Sequence, residues 1–165
     1  MGYVSSETID AVVERLNGLH EREFLALQRR LGPAQPELAA FVLAFTHDRG
    51  PDVSGFAIAT TMVLLEAFRG SGLKMRKARE RVVVRQWEAS RALLAALRVD
   101  VDEKRERAAG TTVTGEPAAL AYVFEALMDD EMEDPLHLDP DDFWHLFAVL
   151  KTVVETLHEV SEPRR

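Results

Sequence analysis

Pro36, Pro51, Pro117 and Pro140 each stand at the head of a run whose apolar residues recur three and four positions apart. Proline lacks a backbone N–H and holds φ near the helical value, so the first turn of a helix suits it and the interior does not. A chain punctuated this way is directed toward helices of defined start, and the remaining pattern agrees. Ser5 or Ser6 can cap a first helix carrying Ile9, Val12, Val13, Leu16, Leu19, Leu27 and Leu31, with Gly18 a point of kinking or division and Gly32-Pro33 its end. Pro36 opens a second helix with Leu38, Phe41, Val42 and Phe45, which stops near Arg49-Gly50. Pro51-Asp52 opens a third that is apolar nearly all round, which places it at the centre.

After Gly70-Ser71-Gly72 the spacing predicts a long fourth helix over 73–98, with Met75, Ala78, Val82, Ala89, Leu93 and Ala96 on one face. Val83, Trp87 and Leu94 widen that face. Residues 99–115 are charged, then rich in Gly and Thr, and read as a mobile linker. Pro117 opens a fifth helix with Leu120, Val123, Phe124 and Leu127, and an acidic loop over 129–139 follows. Asp139-Pro140-Asp141-Asp142 supplies a cap, a first-turn proline and two dipole-matching carboxylates to a sixth helix. Its core stripe is Phe143, Leu146, Phe147, Leu150, Val153, Val154 and Leu157. No segment alternates with period two, so no sheet is expected. The expected fold is all-α, a six-helix bundle in a single domain over 1–165.

The helices also repeat. Pro36 to Val42 aligns without a gap on Pro117 to Val123, and Pro51 to Phe68 on Pro140 to Leu157. Two three-helix units, about 5–69 and 73–159, related by a pseudo-two-fold axis account for this. In the alignment Ser54, Gly55 and Phe56 face Phe143, Trp144 and His145, which suggests close backbone approach near Gly55. Arg69 faces His158.

Composition narrows the function classes. Cysteine is absent, which removes disulfides, thiolate zinc sites and a cysteine nucleophile and suits a reducing compartment. The first residues carry no basic segment followed by an apolar run, so no secretory signal is read and a cytoplasmic protein is expected. Gly2 followed by Ser6 loosely matches a myristoylation pattern, but helix capping explains the serines better. The stretch from Val53 to Phe68 is interrupted by Ser54, Thr60, Thr61 and Glu66, and is shorter than the about 20 apolar residues a bilayer requires. The formal charge of −8 argues against general nucleic-acid affinity. Arginine outnumbers lysine and alanine is abundant, as in a GC-rich bacterial genome.

Chemistry-bearing patterns are few. On a helix over 73–98, Lys74, Lys77, Arg81 and Arg85 share one face, a stripe that can follow a phosphate backbone or an acidic protein, or pair with the acidic loop of the same chain. Glu155 and His158 have the E-x-x-H spacing of ferritin-like di-iron bundles. The second such motif and the two further glutamates are missing, and the aligned half has Glu66 and Arg69 instead. Glu66, late in the apolar third helix, either reaches solvent or pairs with Arg69. His145 neighbours Asp141 and Asp142 but has no nucleophile to serve. No nucleophile elbow, phosphate-binding loop, zinc-protease motif or EF-hand is present.

The sequence therefore points to a non-enzymatic interaction, assembly or adaptor protein without a cofactor. Its surface is Lys74, Lys77, Arg81, Arg85, Val83, Trp87 and Leu94, and its partner is another protein or a second copy of itself. The alternatives are a nucleic-acid-associated protein using the basic helix 73–98 and a metal- or ligand-dependent helical bundle enzyme.

Overall fold

The structure, a computed structural model, describes residues 2–96, 114–129 and 138–165. These form α1 (Ser6–Asn17), α2 (Glu21–Ala34), α3 (Pro36–Thr46), a 3-10 turn (His47–Arg49), α4 (Pro51–Gly70), β1 (Leu73–Met75), α5 (Glu80–Ala96), α6 (Pro117–Met128), α7 (Pro140–Val160) and β2 (Ser161–Pro163). The protein is mostly helical. Most of the predicted linker and of the acidic loop lie outside the described residues.

The prolines behave as expected, each opening its helix. Asp139 caps α7 by accepting from the Asp142 N–H at 2.7 Å, and Ser5 caps α1 through the Thr8 N–H at 3.2 Å. Asp139→Ala is expected to lower stability by about 1 kcal/mol, read from urea denaturation, because it strips one orphan N–H of its acceptor.

Two boundaries differ from the periodicity. The first apolar run divides, with Gly18 closing α1 and His20 preceding α2, so that seven α-helices rather than six occur among the described residues. The fourth predicted helix starts at Glu80 rather than at residue 73. Gly72, with φ at +72°, turns the chain, and Leu73 to Met75 pair antiparallel with Pro163 to Ser161. Gln35, 2% exposed, then pegs the next residues, donating from Nε2 to the Arg76 carbonyl and accepting the Ala78 N–H, both at 2.9 Å. Those groups are satisfied in an extended path, so helix is delayed by seven residues. A three-residue strand is too short for alternation to register, which is why the expectation of no sheet missed this ribbon.

The helix face shifts accordingly. Val83 and Ser90 are buried, whereas Ala89 and Ala96 are exposed. Gly55 has open space where a side chain would project, so the expected close approach there is not made.

At the centre α4 packs on α1, α3 and α7, while α5 and α6 flank α7. Ala57, Leu64, Ala67 and Phe68 of α4 and Leu146, Leu150, Val153, Val154 and Leu157 of α7 are fully buried. By length and composition α4 alone among the described helices could cross a membrane, but 61% of its apolar window is buried inside the protein. It is a core helix here.

Candidate protein-docking face

The residues singled out from the sequence separate into two places. Lys74 lies on β1 opposite Glu162, and Lys77 lies in the segment pegged by Gln35, so neither extends a helical stripe with Arg81 and Arg85. Arg85 is engaged with Glu159, which also accepts from Gln86 Nε2 at 2.9 Å. Hydrogen bonds from Arg85 and Gln86 hold the Glu159 carboxyl below its ordinary range. Val83 is 3% exposed and belongs to the core rather than to a surface.

Trp87 and Leu94 are brought together with residues the sequence reading did not select. Val84, Trp87, Arg91 and Leu94 follow one another at helical spacing along α5, which lays them on one face. Trp87 meets Phe41 at 5.5 Å, Phe45 at 4.8 Å and His145 at 5.8 Å between ring centroids. The Arg91 guanidinium stands 5.8 Å over the Trp87 ring. Across from them α7 contributes Asp141, Trp144, His145 and Ala148, and Arg49 closes one end. Together these line an open groove of about 500 Å³. Phe45, at 37%, and Val84, at 44%, carry the apolar surface beyond it.

Two polar side chains of the groove tie neighbouring elements together. Arg49 Nη1 pairs with Asp141 at 3.0 Å and Asp142 at 2.6 Å. Burial pulls its guanidinium down, but the bonds and charges of Asp142 and Asp141 outweigh this and hold it above its ordinary value. His145 Nε2 bonds the Phe45 carbonyl, joining α7 to the end of α3. Arg49 Nε and Trp144 Nε1 are buried and have no acceptor among the described residues. Such N–H groups destabilise a wall until something accepts from them. Aromatic and arginine side chains of this kind are enriched among the residues that dominate protein interfaces. The spacing of Trp87 and Arg91 was visible in the sequence; the approach of Arg49, Phe45 and Trp144 depends on chain packing and was not.

The E-x-x-H pair is used differently from a metal site. His158 Nδ1 is 2.8 Å from Glu116 Oε1, and its ring stacks on Tyr3 at 4.9 Å. Glu155 accepts from the Thr114 hydroxyl and from the Gly115 N–H at 3.4 Å, and pairs with Lys151 at 3.6 Å. Glu116, fully buried, also accepts the N–H groups of Tyr3 at 2.8 Å and Val4 at 3.1 Å. The His158 ring fills the space a side chain at Gly115 would need, at 2.7 Å. Both members of the motif thus pin the start of the chain and the start of α6 onto α7. No group of three metal-ligating side chains converges among the described residues. Of the two readings of Glu66, the pairing is the one found: it pairs with Arg69 and also with Arg15 of α1, both at 3.1 Å.

Compared with protein-family models, curated proteins and solved structures, the chain matches none.

Proposed function

We propose that this chain is a non-enzymatic interaction protein of the cytoplasm, an adaptor or assembly module, whose protein partner docks on the face formed by α5 and α7. The observation that carries this reading is the groove at Trp87, Leu94 and Trp144, continued by the exposed Phe45 and Val84. Aromatic anchors beside arginine are the side chains that dominate binding energy at interfaces. The cysteine-free composition supports the compartment.

A pseudo-two-fold arrangement of two units fits this role and has its own support. Gln35 and Glu116 both stand immediately before a helix-opening proline, with φ, ψ of −141°, 74° and −134°, 73°. Gln35 holds the segment leading into α5, and Glu116 holds the segment leading into α1. The buried residues Val4, Ile9 and Leu16 recur in the same spacing as Ala78, Val83 and Ser90. β1 follows α4 as β2 follows α7, and the two strands pair with each other. In this scheme each unit lends a helix to the other, and the docking face is where they differ, with Trp144 aligned on Gly55.

The test is capture from the source cell by full-length tagged protein, compared with an Arg91→Glu/Leu94→Asp variant. Both positions lie at the groove without belonging to the buried core. The expected result is a discrete protein that survives nuclease treatment and whose affinity falls about thirtyfold in the variant, the loss of one anchor cluster. Identical capture by both proteins, or retention that nuclease abolishes, contradicts the reading. Sedimentation over a concentration series separates a second copy of the chain from a different partner.

A further inference from the structure

The ribbon gathers charge from two distant parts of the chain. Pairing of β1 with β2 sets Lys74 opposite Glu162, and both line a concavity of about 610 Å³ with Pro163, Arg164 and Arg165. Arg76, Lys77 and Arg79 follow along the segment that Gln35 keeps extended, and the Arg76 N–H bonds the Val160 carbonyl at 2.9 Å, which holds that segment against the start of β2. All six of these cations are exposed. None of them makes a side-chain ion pair among the described residues, whereas Arg15, Arg49, Arg69, Arg85 and Lys151 all do. Glu159 of α7 is already taken by Arg85 and Gln86. Arg79 supplies the first carbonyl of α5, so its charge lies at the positive end of that helix, beside Glu80 of the first turn.

We propose that this basic pole is a second interaction surface, distinct from the aromatic face, that docks an extended acidic segment of a protein partner. Clustered cations with no ion pair among the described residues, in a chain of net charge −8, are the complement of such a segment. The same features disfavour nucleic acid. Glu162 stands in the middle of the pole and Glu80 at its border, where a continuous phosphate chain meets repulsion that a peptide with spaced carboxylates avoids. The overall negative charge also opposes the long-range approach of a polyanion much larger than the patch.

The experiment is fluorescence anisotropy of the full chain with a labelled peptide in which about ten glutamates alternate with serine and, separately, a single-stranded oligonucleotide of equal charge. The peptide is expected to bind, to weaken roughly tenfold between about 0.05 and about 0.3 M salt, and to weaken at least about tenfold in a Lys77→Glu/Arg164→Glu/Arg165→Glu variant. All three positions are exposed, and an unchanged circular dichroism spectrum establishes that the variant is folded. No binding of the peptide at low salt, binding that the variant retains in full, or tighter binding of the oligonucleotide overturns the proposal. The Arg91→Glu/Leu94→Asp variant is expected to bind the peptide normally, so failure of the aromatic-face reading leaves this result standing.

Discussion

Phe147→Ala is expected to destabilise the protein by about 3–5 kcal/mol, the range for removing a large aromatic from a core that relaxes only in part. Phe147 is 1% exposed and makes edge contacts with Phe124 at 6.4 Å and Trp144 at 5.8 Å. Truncation leaves a cavity between α6 and α7 and removes these ring pairs together. In a chain of this length the melting temperature should fall by roughly 6–20 °C. Phe147→Leu, which keeps most of the volume, should cost about 1–2 kcal/mol. Urea denaturation of both variants checks the pair. A loss below about 1 kcal/mol for alanine would place the ring outside the core.

Glu116→Ala is expected to cost as much by a different route, about 3–5 kcal/mol. Its buried carboxylate receives the Tyr3 and Val4 N–H groups and contacts Nδ1 of the partly exposed His158 ring. Alanine leaves these donors with no acceptor, and each stranded group carries a desolvation penalty of about 1–3 kcal/mol. The damage should be local first. Hydrogen exchange should accelerate in α1, whose entry segment Glu116 holds, before it changes in α4. Glu116→Gln keeps an acceptor oxygen and should lose less than half as much. Equal effects of the two substitutions would show that the hydrogen bonds are not what matters there.

These two residues mark what was legible in the sequence. Phe147 falls on a clean helical stripe behind Asp139-Pro140, so its burial follows from spacing, and the cap that starts its helix is formed by neighbours three residues apart. Glu116 carries no local sign. Its partners are more than forty residues away in sequence, and its position before Pro117 looks like any loop carboxylate. Gln35 is the same case in the first half, and missing it moved the start of α5. A helical period running from residue 73 crosses segments that are not helical, so it puts Val82 and Ala89 on the core face, whereas Val83 and Ser90 are the buried residues of α5. The basic stripe failed for the same reason, since Lys74 and Lys77 left the helix. Of the proposed surface, Trp87 and Leu94 lie in the groove because their spacing from each other on α5 is local. Arg49, Phe45 and Trp144 join them only through packing between α3, α5 and α7.

The measurement that addresses the docking face most directly is site-specific photocrosslinking in the source cell. A photoreactive residue at position 94, within the groove, is compared with one at position 25, exposed on α2 at 43% and absent from the groove lining. A discrete protein adduct is expected from position 94 and none of that mass from position 25. The same adducts from both positions, or adducts at position 94 made of nucleic acid alone, would contradict docking at this face.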